Sequence, residues 1–138
     1  MFQKIVVPVD LAHEAALQKT LQVAAGMAKT HAAQLCYVGV ASASPSAVAR
    51  TPEEYKDKLE KFAADQAAQH GVQATSHAIM THDPATDLNK ALEKSISDLG
   101  ADLVVMETHM PNISDYVWAG HGAHVAAHSS VSVLLVRD

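Results

Sequence analysis

Residues 103–122 read LVVMETHMPNISDYVWAGHG, and this stretch decides the fold of the chain. Its first four residues are apolar without interruption, a pattern typical of a strand that is buried on both faces of a parallel sheet. The run stops at polar residues and Pro111, and a helical pattern containing Gly120 and Gly122 follows. A buried strand that leads through a loop into a helix is a common ligand site, because the first N–H groups of a helix have no partner inside it. We therefore look for function in this stretch.

The bulk properties of the 138 residues indicate one domain, expected over 1–138, with room for a substantial core. No apolar run approaches the ~20 residues of a membrane span, and residues 1–5 lack the pattern of a signal peptide. The single cysteine, Cys36, allows no internal disulfide, so we expect a cytoplasmic protein. A net charge of −5 without clustered lysine or arginine argues against nucleic-acid binding.

Apolar runs alternate with helical patterns along the whole chain. Strands are predicted over 5–9, 34–40, 72–80, 103–106 and 131–136, and helices over 13–29, 52–70, 84–99 and from the region of Gly120 to His128. This alternation predicts an α/β fold of three layers, in which helices cover both faces of a mostly parallel sheet. Ligands of such sheets bind beyond the carboxyl ends of the strands, where the winding reverses. Asp10 and the segment 107–112 both follow strands at that edge.

Four pieces of the sequence resemble the universal stress protein family, and in order and spacing they extend over essentially the whole chain. They are IVVPVD at 5–10, Asp83-Pro84, HMPNI at 109–113 and SVLLVR at 132–137. They are similar to the first strand of the family with its terminal aspartate, its third helix entry, the loop of its short F/G-type branch and its closing strand. The resemblance implies a five-stranded parallel sheet in the order 3-2-1-4-5, the adenine nucleotide alpha hydrolase-like fold. Many members of the family bind ATP or AMP, and others do not.

The nucleotide-binding members carry three spaced glycines followed by serine or threonine. Glu107 and Met110 occupy the first two glycine positions here. Counting forward puts the third glycine at Gly120 and the hydroxyl position at His121, whereas counting back from the last strand puts them at Ala119 and Gly120. The hydroxyl is missing on either count, and Glu107 adds bulk and negative charge. The N–H groups of 120–122 can still hold one phosphate, so we expect weakened binding, with AMP favoured over ATP.

These observations predict a regulatory module that binds an adenine nucleotide weakly and is not an enzyme. An apolar strand at a sheet edge invites pairing with its own copy, so we expect a homodimer through Val131 to Val136. The resemblance implies that the nucleotide is lined by Pro8, Val9, Asp10, Val40, Met106, Glu107, His109, Gly120, His121 and Gly122. The alternative is a dimeric interaction protein without a ligand, its pocket closed by Glu107, Met110 and Trp118.

Several of these residues have simpler interpretations. Asp10 is equally suited to cap the helix that follows it, and Val40 and Met106 fit an ordinary core. His121, His124 and His128 share one helix face, and two of them could ligate zinc together with His109. Exposed helix histidines are commoner, and no HExxH motif or nearby cysteine supports a site, so we assign no metal. We also assign no catalytic residue, because phosphoryl transfer needs a cation that this loop lacks, histidine aside.

Overall fold

The computed structural model describes residues 1–42, 45, 48–81, 84–108, 118 and 121–137. In these residues the elements follow the order β1 (Lys4–Pro8), a 3-10 helix (Leu11–Leu17), α1 (Gln18–His31), β2 (Gln34–Ser42), α2 (Pro52–His70), β3 (Ala74–Thr81), α3 (Pro84–Asp98), β4 (Leu103–Thr108), α4 (His121–His128) and β5 (Ser132–Arg137). The strands form one parallel sheet in the order β3-β2-β1-β4-β5. The predicted fold class and strand order are therefore confirmed.

Helices cover both faces of the sheet, because side chains of a strand alternate between its faces and nearly every position of the central strands is apolar. One buried cluster joins α1 and α2 to strand residues such as Val7 and Val105. The other joins α3 and α4 to strand residues such as Val6 and Val104. The buried face of α1 is rich in alanine and includes Ala24.

The predicted start and end of α2 are confirmed. The side-chain oxygen of Thr51 accepts a hydrogen bond from the Glu54 N–H at 3.1 Å, and Pro52 opens the helix. The Glu54 carboxylate accepts from the Arg50 N–H at 3.2 Å rather than from the N–H of Thr51. Gly71 ends the helix with φ +66°, a left-handed conformation that a residue without a Cβ adopts easily.

Several predicted boundaries differ from the structure by one to five residues, and three of the differences have a clear cause. The first helix was expected from His13, but a 3-10 segment comes first and α1 begins at Gln18, because His13 adopts non-helical angles (φ −132°, ψ 45°). The third strand begins at Ala74 rather than Val72, because the Val72 N–H still donates to a carbonyl of the last turn of α2. The fourth strand continues through Glu107 to Thr108, paired with β5.

Candidate functional site

The pairing of β1 with β4 ends before the carboxyl ends of the two strands, at the point in the sheet where the strand order reverses. The two strands are in register at Ile5–Leu103 and Val6–Val104. Farther along, β1 stays paired with β2 as far as Pro8, and β4 stays paired with β5 as far as Thr108. We call the space beyond Val6 and Val104 the crevice. A crevice at this position is where ligands of parallel α/β sheets bind.

Asp10 lies at the β1 side of the crevice and is 3% exposed. Its carboxylate accepts a hydrogen bond from the Ala12 N–H at 3.1 Å, which caps the 3-10 helix. Its second oxygen lies 2.9 Å from Nδ1 of His13. The carboxylate therefore has the capping role that sequence reasoning considered as an alternative, and a ribose hydroxyl would have to share it with these two groups.

Trp118 occupies the crevice in this conformation. Its indole N–H donates to the Val9 carbonyl oxygen at 3.0 Å, just beyond the end of β1. The ring is 3% exposed and belongs to the buried cluster that contains Val38 and Met106. The carbonyl of Val9 is thus bonded by a bicyclic aromatic side chain that shares a buried cluster with Met106, and both residues were expected against the nucleotide. An incoming base would have to displace the indole to reach them.

Glu107 lies within β4 and not in the loop that follows it. It pairs with Val136, and its side chain is 3% exposed. Val105 packs on the α1 and α2 face and Met106 on the α3 and α4 face. Alternation along the strand then puts Glu107 on the α1 and α2 face. The sheet therefore separates its charge from the start of α4, where phosphate was expected.

Val40 is half-buried near the end of β2, beside Tyr55 of α2. The Tyr55 hydroxyl reaches this strand end from α2 and has a backbone hydrogen bond with Val40. Gly39 makes the approach possible, because a Cβ there would overlap the Tyr55 oxygen. Burial, and next the charge of Asp10, raise the pKa of Tyr55 well above its ordinary value. No sequence pattern links Gly39 to Tyr55, since they meet only in the folded chain.

His121 and Gly122 form the start of α4, as predicted, and both contact protein groups. The His121 imidazole hydrogen-bonds with the Asn89 side chain and packs edge-to-face on Trp118, with ring centroids 6.2 Å apart. Burial, and next the nearby His124, lower the pKa of His121. Gly122 is buried, and a Cβ there would lie 2.9 Å from Cδ2 of Leu135. Close packing of α4 on β5 is thus sufficient to explain this glycine.

The structure brings most of the predicted site residues together at the carboxyl ends of the strands. Pro8, Val9, Asp10, Met106 and Glu107 lie at the ends of β1 and β4, and Val40 lies one strand away. His109 and Gly120 lie outside the described residues, as do Met110 and Asp83. Contact between these described residues and a nucleotide remains a prediction.

A family model described as the universal stress protein family matches residues 1–137 of the sequence. The chain belongs to the universal stress protein family. No match was found among curated protein sequences.

Solved structures agree with this assignment. A universal stress protein family member from Burkholderia pseudomallei is 18% identical with a TM-score of 0.69, over 97% of this chain and 95% of that one. A universal stress protein from Archaeoglobus fulgidus in complex with dAMP is 14% identical with a TM-score of 0.68, over 97% of both chains. A family member from Arabidopsis thaliana with AMP bound is 10% identical with a TM-score of 0.63, over 98% of this chain and 91% of that one. At such identities the likeness establishes the fold.

Two kinds of feature are absent from the described part of the chain. None of its helices is both long enough and apolar enough to cross a membrane. No three histidine, cysteine, aspartate or glutamate side chains there stand ready as a metal site.

Proposed function

We propose that this universal stress protein is a non-catalytic, cytoplasmic regulatory module that binds an adenine nucleotide weakly in the crevice between β1 and β4. The observation that carries the proposal is the hydrogen bond from the Trp118 indole to the Val9 carbonyl. Indole is a flat bicyclic heterocycle with one N–H donor, close to a purine in size and shape. A space that accommodates an indole against a strand-end carbonyl is suited to a purine base after the indole has left.

The same contact explains why binding should be weak. A ligand that needs a minor conformation has its apparent affinity reduced by the fraction of protein in that conformation. If the state with Trp118 in the crevice is favoured by about 1.4 kcal/mol, the apparent affinity falls about tenfold. Near neutral pH the burial of His121 also keeps this imidazole uncharged, so it offers phosphate a hydrogen bond without a positive charge.

Calorimetry with AMP, ADP and ATP tests the proposal in the wild type and in Trp118→Ala. We expect measurable but weak binding by the wild type, strongest for AMP, and at least about tenfold tighter binding by the variant. Phe2→Ala is the control, because Phe2 precedes the amino end of β1, opposite the crevice, and packs edge-to-face against His31. Circular dichroism and Trp118→Phe, which keeps a large ring but removes the indole N–H, guard against a fold defect. No heat from any nucleotide in either the wild type or a folded Trp118 variant would contradict the proposal.

The second candidate is an interaction protein that takes no nucleotide, and the burial of Trp118 at 3% exposure favours it. In that case Trp118 is a permanent part of the core. The melting temperature would then be unchanged by every nucleotide, whereas a ligand that binds only the folded state must raise it. The Trp118→Ala variant would lose stability and gain no affinity for AMP.

We further propose that two copies associate through β5, which lies at the edge of the sheet. An edge strand presents unpaired backbone groups that favour association with another strand. Leu135 of β5 is 37% exposed, and its neighbours Val131 and Leu134 are only partly buried. A two-fold axis beside β5 would cover these side chains in both copies at once.

Light scattering after size exclusion tests the dimer with Leu135→Arg. Met80→Arg is the matched control, because Met80 lies on β3, the opposite edge of the same sheet, and is 51% exposed. We expect a dimer for the wild type and the control, and a monomer for Leu135→Arg. A monomeric wild type, or a dimer lost only in Met80→Arg, would contradict association through β5.

A further inference from the structure

We propose that this protein has a second site, for a borderline divalent metal ion such as Zn²⁺, formed by Glu93 of α3 with His124 and His128 of α4. The site is separate from the crevice and independent of the nucleotide proposal. Imidazole and carboxylate are a ligand set that such ions accept. The sequence shows the two histidines, but Glu93 joins them only when α3 and α4 lie side by side.

The contact between His124 and Glu93 is the first observation that supports the site. Nε2 of His124 lies 3.2 Å from Oε1 of Glu93, and both side chains are 36% exposed. Two ligand atoms that each lie about 2.1 Å from a tetrahedral ion are about 3.4 Å apart. These two atoms therefore already have nearly the separation that a shared tetrahedral ion requires, and the ion would replace their direct contact.

His128 supplies the third ligand. It follows His124 by four residues, which puts both imidazoles on one face of α4. Their ring centroids are 4.3 Å apart with an interplanar angle of 46°. His128 and Glu93 also line one cavity of about 390 Å³ together with Ser97 and Ser129, which leaves room for an ion and a bound water. Histidines four residues apart on a helix are a recurring zinc-binding arrangement.

The arrangement is incomplete without the ion. In the described residues the three side chains do not yet surround one point. His128 is exposed on the surface of α4, so its ring can turn toward the other two without disturbing the core. An ion would thus tie α4 to α3 through all three side chains, in place of the single His124–Glu93 contact between these helices. Because one ligand must be recruited, we expect an affinity that is micromolar or weaker.

Titration of the chelator-treated protein with Zn²⁺, and with Co²⁺ for its absorption bands, tests the site. We expect one ion per chain with the spectrum of tetrahedral Co²⁺, and an affinity reduced at least about tenfold in each of His124→Ala, His128→Ala and Glu93→Gln. Circular dichroism verifies that these partly exposed substitutions leave the fold intact. His70→Ala is the control, because His70 ends α2 in another part of the molecule.

Two results would overturn the metal site. One is the absence of saturable binding by the wild type. The other is binding that persists in His124→Ala and His128→Ala but is lost in His70→Ala. Neither result bears on the crevice, because the three ligands differ from all the residues assigned to the nucleotide.

Discussion

Tyr37 lies at the centre of β2, fully buried, with its ring packed edge-to-face against Phe62 at a centroid distance of 5.3 Å. Its hydroxyl has no hydrogen-bond partner among the described residues. Burying a hydroxyl without a partner costs about 1–3 kcal/mol. Burial also raises the pKa of Tyr37 to about 12. At this position the favourable burial of the aromatic ring is opposed by the free-energy cost of burying its hydroxyl without a partner.

Tyr37→Phe removes the hydroxyl and keeps the ring, so we expect the variant to be at least as stable as the wild type at pH 7. The folded pKa of Tyr37, about 12, lies above the ordinary value of 10. The contribution of the neutral phenol is therefore fully present below pH 10 and is lost as the pH rises toward 12. Over that range this single group should cost the wild type up to about 1.4 kcal/mol per pH unit, a loss that Tyr37→Phe avoids.

Urea unfolding at pH 7 and pH 11 measures both parts of this prediction. A variant that is clearly less stable than the wild type at pH 7 would mean that the Tyr37 hydroxyl has a partner after all. If the wild type and Tyr37→Phe lose the same free energy of unfolding between pH 7 and pH 11, this tyrosine does not control the alkaline transition.

Gly39 and Tyr55 form a pair that should couple in a double-mutant cycle. A Cβ on residue 39 would overlap the Tyr55 hydroxyl, so Gly39→Ala should destabilise the protein by about 1–3 kcal/mol. In the Tyr55→Phe background the cost should be smaller, because the oxygen is gone and only ring carbons at 3.1 Å remain. Gly26→Ala is the control, since nothing lies within 4 Å of that Cβ and alanine favours the helix. Additive effects at the two positions would contradict the close contact.

At the level of single elements, the packing of α4 depends on the protonation state of His121. The pKa of His121 is lowered, chiefly by burial, so its neutral form is favoured in the folded state. This contribution to stability is present above the ordinary pKa near 6.5 and is lost as the pH falls below it. We expect the free energy of unfolding to fall between pH 7.5 and 5.5, by at most about 1.4 kcal/mol per pH unit from this group.

His121→Gln keeps a polar side chain opposite Asn89 and does not titrate, so it should flatten the acid side of the stability profile. His70→Gln at the end of α2 should leave that profile unchanged. Urea unfolding at several pH values makes the comparison. An equally steep loss of stability in His121→Gln would show that burial of this imidazole does not control the acid response.

Both boundaries of α2 were predictable, because local sequence signals determine them. Thr51 and Gly71 delimit α2 through a side-chain cap and a left-handed residue, and both signals depend on residues close in sequence. The start of α1 was not predictable, because Asp10 caps a 3-10 segment and His13 breaks the helical angles. The strand assignment of Glu107 was missed for a different reason. A charged residue ends an apolar run, but here pairing with Val136 of β5 extends the strand.

At the level of the whole molecule, the alternation of strands and helices was enough for the fold class. The strand order followed from the family resemblance and agrees with the structure. The location of the crevice was predictable too, since it follows from where the winding reverses. The position of the indole in the crevice depends on the contact of Trp118 with Val9, which lie 109 positions apart in sequence. Trp118 could be named as a possible obstruction, but not its hydrogen bond with Val9.

The central claim is that the crevice admits an adenine nucleotide when Trp118 leaves it. Trp118 is the only tryptophan of the chain, so its fluorescence reports directly on this side chain. Titration of the wild type with AMP up to millimolar concentration should shift the emission to longer wavelength in a saturable manner, as the buried indole becomes exposed to water. An emission spectrum that stays unchanged while calorimetry detects bound AMP would contradict displacement of Trp118, and no response in either measurement would contradict binding itself.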